Sequence, residues 1–458
     1  MSIDPPMTRI VFTADPHDRR IPSTPDNRKM NTMKRTISAF AGAALLLLAA
    51  GCANPSGTAQ STATRADAPV EVAVWHYWDG ANADAFDALV EKYNDSQDAV
   101  RVTTSNVPNA DFLTKLKTSA SSNSLPDIAI GDLVWVPQMA QIGALADLSP
   151  LVDSAVINDV NPALRDYGSI DGKQISLPVS ANNLAYMYNR DVFTQAGLDP
   201  DKPPRTWEEL AKQGALIAEK TGLPGYDLLT EAGDNGEGLT WNFQVSLWQA
   251  GGEFLTKDNS AAAFNTAEGL KALEFWKSLI DGGVSRYAAW GEFEKGAGGS
   301  AQEGSWMVGI WAPDPPFEFD VAPLPVPEGG VQATNLGGEQ AVVFDNSAER
   351  ARGAASFLEW FLQDEQVMNW STSTGMLPVT QSMASSEEYL SWVKEKEPRL
   401  MPYVEQMEYA RTRPNTPLYP KISYAFAKEI EKAFAGKTSP QEALDSAERA
   451  VNEVIANG

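Results

Sequence analysis

The sequence predicts an α/β fold built as two lobes. Short β-branched runs alternate with amphipathic helical stretches, the pattern of βαβ units around a parallel sheet. The chain after Cys52 runs to roughly 400 residues, which is long for a single core. An extended stretch from Ile175 to Tyr188, interrupted by Pro178, suits a crossover between two halves.

Val70 to Trp75 alternates apolar and polar positions with β-branching and reads as the first strand. Ala83 to Tyr93 follows with Phe86, Leu89, Val90 and Tyr93 on one helical face. Ala99–Thr104 is a second strand, Asp111–Ala120 a second helix and Asp127–Ile130 a third strand. Beyond the crossover, Thr206-Trp-Glu-Glu209 has the spacing of a capping box, opening a helix to about Lys220. Asn265–Ile280 is amphipathic through Leu270, Leu273, Phe275 and Trp276. Ser305–Trp311, Phe319–Leu324 and Gly337–Phe344 read as strands, and Ser347–Leu362 as a helix. Ser439-Pro440 caps and starts the last helix. The expected first lobe is 70–178 with 332–373, and the second is 179–331 with 374–458.

The start of the chain reads differently. Residues 1–32 are polar, without apolar period, and are expected to lie outside the fold as an extension. Residues 33–51 have a basic start, Met33-Lys34-Arg35, then an apolar run ending at Gly51, the pattern of an export signal. That run is roughly 14 residues, short of the ~20 a spanning helix needs. Gly51-Cys52 resembles the bacterial lipobox, in which the cysteine becomes the lipidated N-terminus, although Ala49 stands where leucine is usual. Residues 52–69, rich in Ala, Ser, Thr, Gly and Pro, read as a flexible tether. The expected location is therefore the outer face of the cell membrane, held by lipid on Cys52 alone.

Charge and composition exclude several functions. Residues 1–52 contribute a net +3 (seven basic, four acidic groups), so the remainder carries −27 against −24 for the whole chain. Such a surface repels nucleic-acid phosphates and anionic lipid. Cys52 is the only cysteine, so no disulfide is expected, and His17 and His76 are the only histidines. Histidine-based metal sites and Ser-His-Asp triads beyond residue 52 would have to rely on His76. The Gly-rich stretch Lys295-Gly-Ala-Gly-Gly299 matches neither a Walker loop nor a dinucleotide fingerprint.

The cluster Trp75-His76-Tyr77-Trp78-Asp79 sits at the C-terminal end of the first strand, where open α/β sheets bind ligands. Aromatic rings offer flat faces to the C–H side of a pyranose, and Asp and His offer hydrogen bonds to hydroxyls. A strand alternates its faces, so these residues cannot all be core. Asp132 after the third strand, Trp241 near a helix start, Trp311, Glu339 after a glycine pair and Arg413 occupy comparable element ends.

Four ordered segments then carry a resemblance: Val72–Gly80, Tyr188–Leu198 with Pro203–Trp207, Thr374–Val379, and Ala433–Leu444. In these the chain resembles the family 1 extracellular solute-binding proteins of ABC importers, a family of maltose- and glycerol-3-phosphate-type receptors. The resemblance implies a two-lobed, type II periplasmic-binding-protein-like fold with a cleft between lobes joined by crossing hinge segments. It implies ligand contacts at Trp75, His76, Tyr77, Trp78, Asp79, Asp111, Asp132, Asn182, Trp241, Trp311, Gly338, Glu339 and Arg413. Met376 departs from the tyrosine usual in glycerol-phosphate receptors, while Arg413 is the residue type that pairs with phosphate. The expectation is a monomeric receptor without cofactor, metal or catalytic activity. Its partners would be a sugar or oligosaccharide and the permease subunits of an importer, with no nucleic acid. A glycerol-phosphate or glycerophosphodiester receptor is the alternative, and a secreted glycoside hydrolase a further one.

Overall fold

The computed structural model describes residues 68–458, apart from 234, 289, 290 and 313. The expected extension, the export signal, Cys52 and nearly all of the tether lie outside these residues. Twelve strands occur in chain order. They are β1 (Val70–His76), β2 (Val100–Asn106), β3 (Ile128–Asp132), β4 (Ser169–Ile170), β5 (Lys173–Gln174) and β6 (Ser176–Pro178). There follow β7 (Leu184–Asn189), β8 (Ser300–Gly304), β9 (Phe319–Ala322), β10 (Thr334–Leu336), β11 (Glu339–Val343) and β12 (Ala410–Thr412).

The first sheet has the order β2-β1-β3-β11-β6. β1 pairs in parallel with β2 and β3, as a βαβ reading requires. β11 runs antiparallel to both β3 and β6, so the sheet is mixed rather than wholly parallel. The departure has a simple cause. β11 follows directly on β10, which pairs with β12 outside this sheet, through the two residues 337–338 and not through a helical crossover, and so enters from the opposite end. The second sheet, β8-β7-β9, is antiparallel throughout.

Each sheet is closed by helices that present apolar faces. Val72 and Val74 of β1 are fully buried in one core with Phe86, Leu89 and Tyr93 of the helix Gly80–Ser96 and Phe357, Leu358 and Phe361 of the helix Ala348–Phe361. Tyr186 of β7 belongs to a second core with Phe243, Trp276 and Phe426, which come from three helices, and with Phe264 from the loop before the helix Ala267–Asp281.

Two expectations of local structure change. The Thr206 hydroxyl accepts from the Glu209 amide at 3.1 Å, but the Glu209 carboxylate takes the amide of Arg205 instead of that of Thr206. The reciprocal capping box occurs at Ser439 and Glu442, at the start of the last helix. Ser305–Trp311, expected as a strand, is a helix. Its run Trp-Met-Val-Gly-Ile-Trp has no polar residue to show a period, and a short apolar run fits strand or helix equally.

The sheets are joined by segments that lie side by side. Residues 179–183 lead from β6 to β7, and residues 337–338 lead from β10 to β11. Asn182 and Gly337 exchange backbone hydrogen bonds at 3.1 and 2.9 Å, and Leu377 donates to the Ala181 carbonyl at 2.7 Å. Gly338 sits here at φ +132°, where a Cβ would stand 2.1 Å from the Ser180 carbonyl oxygen. Only glycine allows this approach. No helix among the described residues is long and apolar enough to cross a membrane.

Candidate functional site

Residues of the first sheet, of the joining segments and of the helices Glu237–Gln249 and Ser305–Trp311 meet around one cavity of about 320 Å³. β1 supplies its first wall. Its inward positions Val72, Val74 and His76 are buried, and alternation turns Trp75 to the other side, where the Lys115 ammonium lies 4.3 Å from its ring centroid. After His76 the chain leaves the sheet and brings Tyr77, Trp78 and Asp79 to the cavity. Asp79 precedes the helix Gly80–Ser96 without capping it, so its carboxylate is not consumed by the helix.

Glu339, the first residue of β11, is the most enclosed carboxylate of the lining, at 5 % exposure. The Tyr77 hydroxyl donates to it at 2.6 Å and the Ser180 hydroxyl donates to its other oxygen. Burial pushes its pKa up to about 7, opposed by the Tyr77 hydrogen bond and assisted by nearby Asp132. Asn182 is likewise buried, and its carbonyl oxygen Oδ1 has no hydrogen-bond partner among the described residues.

The second half of the chain contributes an aromatic pair. Trp241 stands in the first turns of the helix Glu237–Gln249, and Trp306 in the helix Ser305–Trp311. Their rings are stacked, with centroids 5.7 Å apart and planes at 16°. Ile310, one helical turn after Trp306, extends the same face at the cavity and is 46 % exposed. Gly309 lets this helix close on the end of the helix Asp364–Thr374: a Cβ there would stand 2.2 Å from the Thr374 carbonyl oxygen. That contact brings Met376 to the cavity beside Ile310.

Arg413 is the only cationic residue of the lining among the described residues and is 3 % exposed. Its guanidinium donates from Nη2 to Asp132 at 2.7 Å and from Nη1 to Glu237 at 2.6 Å, with its Cζ 5.4 Å from the Trp241 ring centroid. Burial pulls its pKa down, but Asp132 and Glu237 more than offset that and leave it above the ordinary value. Burial also raises Glu237, against the pull of Arg413.

Of the residues picked from sequence, Tyr77, Trp78, Asp79, Asp132, Asn182, Trp241, Gly338, Glu339 and Arg413 line this cavity. Four lie elsewhere. His76 is buried against Trp78 and Phe86, at centroid distances of 5.6 and 5.2 Å, and burial lowers its pKa. Trp75 packs on the far face of β1, and Asp111 is an exposed residue of the short turn Asn109–Asp111. Trp311 ends its helix among Phe293, Phe317 and Phe319. Sequence reasoning passed over Asn82, Trp306 and Ile310 as contacts and noted Met376 only as a departure. Read as a helix, the spacing from Trp306 to Ile310 would have placed both on one face and Trp311 on another.

A larger hollow, about 770 Å³, lies along the outer side of the helix Trp207–Thr221, but no aromatic ring lines it. The smaller cavity combines rings with convergent polar groups, the usual make-up of a ligand site. No cluster of His, Cys, Asp and Glu among the described residues could hold a metal ion.

The model of a bacterial extracellular solute-binding protein matches residues 88–397. The chain belongs to that family. Among solved structures it is similar to the cyclic alpha-maltosyl-1,6-maltose binding protein from Arthrobacter globiformis, with 66 % identity and a TM-score of 0.81 over 85 % of this chain and 100 % of that one. The GacH receptor of Streptomyces glaucescens, solved unliganded and with acarbose, shares the fold at 23 % identity and a TM-score of 0.74, over 85 % of this chain and 99 % of that one. A curated relative, the sn-glycerol-3-phosphate-binding periplasmic protein of Rhizobium meliloti, is 26 % identical over 429 residues, covering 86 % of this chain and 96 % of its own. The architecture is thus the type II fold of periplasmic sugar-binding proteins, expressed here as mixed α/β.

Proposed function

We propose that this family member is the receptor of an ABC importer for a neutral, maltosyl-type oligosaccharide, which it binds and releases unaltered. The stacked Trp241–Trp306 pair carries the reading. Two nearly parallel indoles form a broad apolar platform suited to the C–H face of a sugar ring. Around it Asp79, Asp132, Glu339 and the unpartnered Asn182 oxygen offer acceptors to hydroxyls, and the unpartnered Trp241 Nε1 offers a donor. The 66 % identity to a cyclic alpha-maltosyl-1,6-maltose binding protein supports the choice of sugar.

The cavity volume of about 320 Å³ is at the lower end for a ligand site, so an oligosaccharide requires a wider opening than this conformation holds. The two sheets are taken as the cores of two lobes, 70–178 with 332–373 and 179–331 with 374–458, that open about the joining segments. The side-by-side course of 179–183 and 337–338 supports that hinge. In this reading the receptor is a monomer, not an enzyme, and lipid on Cys52 holds it at the outer membrane face near its permease.

Calorimetric titration of the purified protein with cyclic alpha-maltosyl-1,6-maltose, maltose and glycerol 3-phosphate tests the reading. Binding of the sugars near micromolar, without new reducing ends on prolonged incubation, is the expected result. Hydrolysis of the cyclic sugar, or binding of glycerol 3-phosphate alone, overturns it.

A further inference from the structure

We propose that Asp132 and Glu237 set the charge of ligand this receptor accepts, by holding Arg413, the one cation of its binding cavity among the described residues, between two carboxylates. The inference rests on the sugar reading and explains how a site containing a buried arginine selects a neutral guest.

The geometry is that of a closed triad. Arg413 spends Nη1 on Glu237 and Nη2 on Asp132, at 2.6 and 2.7 Å. Nε, also buried, has no partner among the described residues. Glu237 is itself held on every side: Oε1 also accepts from the Tyr419 hydroxyl at 3.2 Å, and Oε2 from the Ser423 hydroxyl at 2.8 Å. Asp132 is held by the Val134 amide at 3.0 Å through the same oxygen that meets Arg413. Neither carboxylate can swing away without leaving a donor unpaired in a buried site, which is costly. Each terminal nitrogen of the guanidinium therefore already faces a carboxylate, and a phosphate making the two-pronged contact that suits arginine to anions has to compete with both.

The charge count points the same way. The lining contains one cation, Arg413, and the carboxylates Asp79, Asp132 and Glu339, with Glu237 directly behind. Two carboxylates against one guanidinium leave the triad with net negative charge. An incoming phosphate dianion meets like charge and a guanidinium already flanked by two carboxylates, whereas sugar hydroxyls meet acceptors. Glu237 is not part of the cavity wall, so it acts on the ligand only through Arg413 and is a positioning residue.

The test is a gain of binding. Glu237→Gln keeps the shape: its amide oxygen can still accept from Arg413 and Tyr419 and its amide nitrogen can donate to the Ser423 hydroxyl, while one unit of positive charge is restored. Asp132→Asn does the same from the cavity side. Titrations of wild type, the two single variants and the double variant are run with cyclic alpha-maltosyl-1,6-maltose and with glycerol 3-phosphate. Glycerol 3-phosphate is expected to bind the double variant at least tenfold more tightly than wild type, and this gained binding should weaken with added salt. If folded variants gain no affinity for glycerol 3-phosphate while wild type still binds the sugar, the inference fails and the sugar reading stands. If wild type itself binds glycerol 3-phosphate as tightly as sugar, the inference fails; if it binds glycerol 3-phosphate alone, both fail. Should Glu237→Gln melt too low to titrate, Asp132→Asn decides alone, since its side chain is 27 % exposed and tolerates the change better.

Discussion

The Trp306 indole lies over that of Trp241 at 5.7 Å, although the two residues stand on different helices 65 positions apart. Neither ring is fully buried, so neither is needed as a core plug. Aromatic anchors at binding surfaces typically account for 2 kcal/mol or more when truncated. Trp306→Ala is therefore expected to weaken sugar binding by about 30-fold, with only a small fall in melting temperature. Calorimetry and a thermal melt on the same preparation separate the two effects. Unchanged affinity would mean that the pair only packs the two helices together.

Trp78 should behave in the opposite proportion. It touches the cavity but is 4 % exposed, with its ring 4.8 Å from Trp370 and 5.1 Å from Phe86. Trp78→Ala leaves a void among these rings, and large-to-small changes of this kind cost about 3–5 kcal/mol. A fall of the urea midpoint much larger than that of Trp306→Ala is the expected outcome. Equal midpoints would place Trp78 on the surface of the site rather than in its foundation.

The contrast between these tryptophans shows what could be read in advance. The alternation of β1 announced that Tyr77, Trp78 and Asp79 would emerge at a sheet end, because a period of two and the end of a strand are local properties. Helix starts at Thr206 and Ser439 were equally visible, since caps are written in adjacent residues. The helix holding Trp306 escaped because its residues are apolar on every side, one face meeting the core and the other the cavity. Glu237 escaped for another reason. Its role depends on Arg413, 176 positions later, and nothing in its neighbourhood announces a partner so distant. Asp132 and Arg413, 281 positions apart, were each singled out, yet that they pair with each other could not be read from spacing.

Gly338 offers a test of the joining segments. At φ +132° and with 2.1 Å between a built Cβ and the Ser180 carbonyl oxygen, alanine fits neither the backbone nor the space. Gly338→Ala is expected to cost about 3 kcal/mol or more, because strain and overpacking add. Pushing Ser180 aside would also disturb its hydrogen bonds to Glu339, whose amide donates to the Ser180 hydroxyl at 2.9 Å. Both stability and sugar affinity should therefore fall, in chemical denaturation and in calorimetry. A variant as stable as wild type would show that the two segments separate freely.

The buried carboxylates make a prediction about pH. Burial raises Glu339 from 4.5 to about 7, Glu303 from 4.5 to about 8 and Asp227 from 3.8 to about 6. Each folded-state value lies above the unfolded one, so between these limits the folded chain binds more protons than the unfolded chain. Stability then decreases as pH rises, starting near the unfolded values and levelling off once the folded groups have ionised. Carboxylates shifted the other way, such as Asp258 at about 2, act mainly below the ordinary carboxylate values, whereas the single lowered His76 works against this trend around its ordinary value of 6.5. For Glu339 alone the shift corresponds to about 3 kcal/mol at most. Denaturation at pH 5 and pH 8 should give the higher midpoint at pH 5, and Glu339→Gln should narrow the gap. The variant replaces an ionising group by a neutral one whose amide oxygen can still accept from Tyr77 and whose amide nitrogen can donate to the Ser180 hydroxyl, so it should lose little at pH 5 and be less destabilised at pH 8. A midpoint that climbs toward pH 8 in the wild type would mean that Glu339 is ionised and satisfied in the folded protein, with the Tyr77 and Ser180 hydroxyls outweighing the cost of its burial.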